Sequence, residues 1–147
     1  MRRRQTMPTE WLIVRGAEDA EGIAAAMRLD RNSGLLLIGD LDRRQLRRLR
    51  QRPLIIVTEM AGAAQRVHDM RELTRALLAR TPLIFLSPIH ATASHADWRP
   101  IPRMRAATLA RLAKRRLIAL GGMDARKFAR VEKLGFQGWA GISAFRT

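Results

Sequence analysis

The chain has 147 residues, of which 47% are hydrophobic, and it carries 28 Lys+Arg against 13 Asp+Glu with no cysteine. This length fits one domain, and the apolar share suffices for a packed core, which excludes wholesale disorder. The lack of cysteine excludes disulfide frameworks and thiolate metal sites. No apolar run approaches the roughly 20 residues that span a bilayer, and no apolar signal core follows the basic start, so we expect a cytoplasmic protein with no membrane partner.

Short apolar runs recur along the chain, and each run is continuous rather than alternating. This pattern is typical of parallel strands whose two faces are both covered. The predicted strands span 11–14, 35–38, 54–57, 83–86, 117–120 and 138–142, with a weaker candidate at 64–68.

Between these runs, apolar residues recur at spacings of three and four, which predicts amphipathic helices. Asp69 and Asp124 suit helix N-termini, where a carboxylate meets free backbone amides, and Gly135 suits a helix end. Alternating strands and helices predict a parallel sheet with helices outside it. Functional residues are then expected just after the carboxyl ends of the strands.

The formal net charge of +15 would suit a nucleic-acid partner, because phosphate neutralisation drives non-specific binding. The arginines are nevertheless scattered over several predicted helix faces, and aromatic residues make up only 5% of the chain. We therefore interpret the charge as solvated helix faces rather than as a nucleic-acid surface.

Two strand ends near the carboxyl terminus suit an anion. Gly121 and Gly122 stand between a predicted strand and a helix, and Ser143 follows the last predicted strand. Backbone amides at such turns approach a phosphate closely, and a phosphate between the last two loops is recurrent in (β/α)8 barrels. The alternative interpretation of the glycine pair is a tight turn without a ligand.

The loop after the strand 83–86 is rich in hydrogen-bonding groups. Its two imidazoles, His90 and His95, are too irregularly spaced to indicate a metal site. We expect a loop that faces a ligand. We expect packing or hydrogen-bonding roles for His68 and His90.

Three ordered motifs resemble one known family: FLSPIHATASH at 85–95, IALGGM at 118–123 and GWAGIS at 138–143. They are similar to the carboxyl-terminal half of the thiamine phosphate synthase and thiazole tautomerase family. The resemblance implies a shortened (β/α)8 TIM-type barrel of about seven parallel strands in which the first family strand is missing. On this interpretation, 1–10 form a basic amino-terminal segment and 11–147 form the barrel domain.

The resemblance implies a transferase of thiamine biosynthesis that couples a pyrimidine pyrophosphate to a thiazole phosphate. It assigns catalytic roles to Arg15 and His95, and Mg²⁺ binding to Asp40 and Glu59. It assigns binding of the phosphorylated substrate to Thr92, Ser94, Gly121, Gly122, Ile142 and Ser143.

The chain departs from the family pattern at the pyrophosphate end, where His95 replaces a lysine and Gly39 replaces an asparagine. Reduced activity is therefore expected. Two alternatives stay open: a non-catalytic family member that binds a phosphorylated ligand, and a basic nucleic-acid-binding protein. For Asp40 and Glu59, the alternative role is helix capping. Small phosphorylated substrates are the expected partners.

A barrel that lacks one strand has two open sheet edges, and open edges invite pairing. The expectation is therefore an association of chains, or coverage of the opening by the amino-terminal segment.

Overall fold

The computed structural model describes residues 6–114 and 116–146. Within them, seven parallel strands form one sheet in the order β3-β2-β1-β7-β6-β5-β4. The strands are β1 Glu10–Val14, β2 Gly34–Leu37, β3 Ile55–Thr58, β4 Ala64–Val67, β5 Leu83–Leu86, β6 Leu117–Leu120 and β7 Gly138–Gly141. The predicted strands are all present, including the weak candidate at 64–68.

In the described residues, five helices surround this sheet: α1 Ala20–Ala26, α2 Arg43–Arg50, α3 Met70–Leu78, α4 Arg103–Leu112 and α5 Ala125–Val131. The predicted caps are confirmed, because Asp69 and Asp124 each accept a hydrogen bond from the backbone amide three residues later. Gly135 adopts a φ of 114° at the end of the turn that follows α5. This left-handed conformation favours glycine.

The sheet curls into a nearly closed barrel, which confirms the shortened TIM-type architecture. Alternate residues of each strand face inward or outward. The inward residues form one buried cluster, which includes Trp11, Ile13, Leu36, Phe85, Ile118 and Ala140. The outward residues pack against the helices in two further clusters. Core packing therefore fixes which side chains point toward the barrel axis.

The barrel is open between β3 and β4, which are the two edges of the sheet. The loss of the first family strand would open it beside β1, but β1 pairs directly with β7 through Trp11 and Ala140. The opening of the barrel therefore lies away from β1, and the absence of the first family strand stays a prediction. The physical reason is the link 59–63: its five residues hold one short 3-10 turn, whereas a parallel crossover needs about a dozen residues.

The amino-terminal segment is partly tied to the barrel. Within the described residues, the Pro8 carbonyl accepts a hydrogen bond from the Trp11 indole, and the Thr9 carbonyl accepts one from the Trp139 amide. The predicted segment 1–10 therefore ends against β1 and β7. Its first five residues lie outside the described part of the chain. None of the helices in the described residues has the length and apolar character needed to cross a membrane.

Candidate functional site

A cavity of about 450 Å³ lies at the carboxyl ends of the strands. This volume is in the range of small-molecule sites. Most of the predicted site residues line this cavity: Arg15, Thr92, Ser94, His95, Gly121, Gly122, Ile142 and Ser143. Asp40 and Glu59 do not.

The turns after β6 and β7 lie side by side at this cavity. The two strands are paired, with Leu120 opposite Ala140, so their carboxyl ends are adjacent. The distance across the turns is short, since a Cβ added at Gly141 would lie 3.2 Å from the carbonyl oxygen of Met123. Within the described residues, the amides of Gly122 and Ser143 donate to no backbone carbonyl. One amide from each turn therefore lacks a backbone acceptor beside the same cavity, within the residues described.

The lining of the cavity is strongly basic. Arg15, Arg66 and Arg146 contribute guanidinium groups, and His68 and His95 contribute imidazoles. Within the described part of the chain, no aspartate or glutamate belongs to this lining. Arg66 and Arg146 are ion-paired with carboxylates outside this lining, whereas Arg15 forms no ion pair within the described residues. The cavity therefore presents guanidinium groups, one of them uncompensated, to an anionic ligand.

An aromatic group forms one wall of the cavity. The rings of His95 and Trp98 are stacked, with their centroids 4.0 Å apart, and His68 meets Trp98 edge-on at 5.0 Å. His68 is also hydrogen-bonded through Nδ1 to the Glu72 carboxylate at 3.0 Å. A hydrogen-bonding role for His68 is thus confirmed, and its ring also faces the cavity. The Trp98 indole and the two imidazoles thus form a cluster of rings beside the cavity.

The comparison with protein families decides the assignment. The model of the thiamine monophosphate synthase family matches residues 23–145. The chain belongs to this family. A search of the curated proteins finds no match.

The glycine pair after β6 has a structural role. Gly121 and Gly122 have φ values of 104° and 58°, and the loop after β5 packs directly on them. The amide of His90 donates to the Gly121 carbonyl at 3.1 Å, and a Cβ at Gly122 would collide with the carbonyl oxygen of Ala91. The interpretation as a tight turn therefore explains in part why glycine occupies both positions. A substitution at Gly122 would displace this loop whether or not a ligand binds there.

The residues present do not fit the magnesium ion that the family pattern implies at Asp40 and Glu59. The two carboxylate oxygens of Glu59 accept hydrogen bonds from Nε and Nη2 of Arg66. Asp40 is exposed, and its backbone carbonyl accepts from Ala17 at 2.9 Å. In 6–114 and 116–146, no group of three or more His, Asp or Glu side chains could hold a metal ion.

The capping alternative for these two carboxylates also finds no support. Asp42, rather than Asp40, caps α2, where it forms a capping box with Gln45. Glu59 precedes a 3-10 turn but makes no side-chain capping hydrogen bond there.

Sequence reasoning missed Arg66 and Arg146 as cavity residues and assigned no site role to His68. The signal for two of them was the alternation of inward residues. In β4, Ala64 faces the barrel interior, so Arg66 and then His68 follow on the same side. Arg146 reaches the cavity from beyond the last predicted strand, where the sequence carries no such signal.

His90 lies behind the glycine turn and not in the cavity lining. Its pKa is lowered from 6.5, first by burial and then by the positive charge of Lys127. Within the described residues, its buried Nε2 has no hydrogen-bond partner. The folded state therefore resists protonation of this ring.

The free energy of unfolding should fall below about pH 6.5 because the unfolded chain then binds a proton at His90 more readily than the folded chain does. The stabilising contribution is present above the unfolded pKa and is lost as the pH falls through the lowered, folded pKa. Replacing His90 with glutamine is expected to flatten this part of the pH profile. Urea unfolding at a series of pH values measures it, and an unchanged slope would contradict the assignment.

Proposed function

We propose that the chain binds a thiazole phosphate with its phosphate at the turns of Gly122 and Ser143, and couples it to a pyrimidine pyrophosphate. The observation that carries this proposal is the pairing of two turns with available amides at a basic cavity that contains no carboxylate within the described residues. Membership of the thiamine monophosphate synthase family supports the choice of substrates.

In the proposed reaction, the thiazole nitrogen forms a bond to the methylene carbon of the pyrimidine. The bond from that carbon to the pyrophosphate oxygen breaks, and its electron pair leaves with pyrophosphate. The products are thiamine phosphate and pyrophosphate. Charge develops on the departing group, so preorganised cations are the catalytic requirement.

Arg15 is suited to this task, because its guanidinium is permanently charged and it lines the cavity. His95 stands where the family has a lysine, and it supplies a ring that stacks on Trp98 rather than a permanent charge. The loss of one charged contact to a developing anion costs about 2–4 kcal/mol, or a rate factor of about 10² to 10³. We therefore propose slow turnover.

The second candidate is a family member that binds the phosphorylated ligand without catalysis. The poor fit of Asp40 and Glu59 to a magnesium site favours it. A single-turnover assay with both substrates separates the two candidates: thiamine phosphate forms under the first, and only a bound thiazole phosphate is recovered under the second.

Replacing Ser143 with aspartate should weaken the binding of thiazole phosphate by about 10-fold or more, because a carboxylate would then face the phosphate at short range. Isothermal titration measures the dissociation constant. Ser143 is exposed, so the folded state should tolerate the change.

The matched control is Thr74→Asp, which adds the same charge on the exposed surface of α3. It should leave the dissociation constant unchanged. If the wild-type protein shows no saturable binding, or if both variants bind equally well, the proposed phosphate site is wrong.

A further inference from the structure

An ion pair spans the opening of the barrel. Glu59 directly follows β3, and Arg66 lies in β4, so the two side chains come from the two unpaired edges of the sheet. The contact is two-pronged: Nε of Arg66 donates to one carboxylate oxygen, and Nη2 donates to the other at 3.2 Å. This geometry is typical of strong arginine–carboxylate pairs.

Arg66 also faces the cavity. Its strand neighbour is Phe85, which belongs to the inward cluster, so Arg66 points to the same side of the sheet. Its side chain remains 37% exposed. A guanidinium carries five N–H groups, and within the described residues its hydrogen bonds go to Glu59 alone. Three N–H groups are therefore available to a ligand.

Glu59 is unsuited to a metal ion in this arrangement. Both of its oxygens are already acceptors for Arg66, and neither Glu59 nor Asp40 lines the cavity. A carboxylate that holds an arginine in this way acts as a counter-ion, and an incoming anion must compete with it for the guanidinium.

We propose that Arg66 binds the pyrophosphate group in this cavity without a metal ion, and that Glu59 is the counter-ion with which the pyrophosphate competes. This inference rests on the proposed function, since it assigns the second anionic group to the same cavity. Under this inference the Glu59 carboxylate weakens the binding of pyrophosphate, whereas a carboxylate that held magnesium would strengthen it.

The test titrates inorganic pyrophosphate into the wild-type protein and into each variant, in a low-salt buffer that contains EDTA, and compares the dissociation constants. Arg66→Gln should weaken binding by about 10-fold or more, because a permanent charge and its two-pronged donor are lost. Glu59→Gln should tighten binding by about 3-fold, because the competing negative charge is removed. Glu132→Gln and Arg111→Gln make the same charge changes at exposed positions outside the cavity lining and should have no effect.

Three results would overturn the inference: weaker binding by Glu59→Gln, unchanged binding by Arg66→Gln, or wild-type binding that requires added Mg²⁺. If Arg66→Gln does not fold, Arg66→Lys takes its place, and it should bind with intermediate affinity because it keeps the charge but loses the fork. Titration with thiazole phosphate keeps the two proposals apart. If the protein still binds thiazole phosphate but gives any of the three results, the inference about Arg66 and Glu59 is wrong and the proposed function stands.

Discussion

Replacing Asp19 with alanine should lower the free energy of unfolding by about 2–4 kcal/mol. Its side chain is only 8% exposed. The carboxylate accepts hydrogen bonds from the amides of Gly22 and Arg15, both at 3.1 Å, and from Nη2 of Arg146 at 2.8 Å. The variant loses the N-terminal cap of α1 and leaves Arg146 with only the exposed Glu21 as a carboxylate partner within the described residues.

The control for this prediction is Asp42→Ala. Asp42 caps α2 by accepting from the Gln45 amide at 2.7 Å, but it is exposed. Its loss should cost about 1 kcal/mol. Asp19→Asn retains the cap and loses the charge, so its cost should fall between the two. Urea unfolding measures all three, and an Asp19→Ala cost no larger than that of Asp42→Ala would contradict the buried ion pair.

The same variant has a functional consequence. Arg146 lines the cavity and is held there by Asp19, while the backbone of Arg15 is bonded to the same carboxylate. Asp19 thus positions two of the cationic residues that line the cavity, Arg146 through its side chain and Arg15 through its backbone. Any loss of ligand affinity in Asp19→Ala that exceeds the loss in Asp42→Ala measures this positioning.

The strands and their parallel arrangement could be predicted because apolar runs such as 35–38 and 83–86 are continuous, which reflects burial on both faces. The opening of the barrel lies between β3 and β4, and the sequence contains its cause. The runs 54–57 and 64–68 are too close for a helical crossover, and this spacing prevents β3 and β4 from becoming neighbours.

The candidate site was predictable to the extent that it follows the strand ends. Gly122 and Ser143 line the same cavity because the carboxyl ends of β6 and β7 are adjacent in the sheet. The pairing of Arg146 with Asp19 joins residues 127 positions apart, and no local pattern indicates such a contact. Likewise, Glu59 has the residue type of a metal ligand, and only the position of Arg66 across the opening gives it another role.

Replacing Trp11 with alanine should have the largest effect on stability, about 3–5 kcal/mol. The indole is completely buried in the barrel interior, meets Phe85 edge-on at 5.7 Å, and donates from Nε1 to the Pro8 carbonyl at 3.0 Å. Gly34 lies opposite in the register, and a Cβ there would collide with the ring. The indole therefore fills the space that Gly34 leaves free because it has no side chain. Removing the indole creates a cavity that the rigid sheet cannot fill.

Urea unfolding of Trp11→Ala measures this cost, with Trp98→Ala as the control, because Trp98 is 38% exposed and its removal leaves no closed cavity. A cost for Trp11→Ala that does not exceed the control's would contradict the packing. The effect should extend to binding: Ile13 follows Trp11 on the same inward face and lines the ligand cavity. Since Trp11 and Ile13 belong to one packed cluster, Trp11→Ala is also expected to weaken the proposed binding of thiazole phosphate, although Trp11 does not line the cavity.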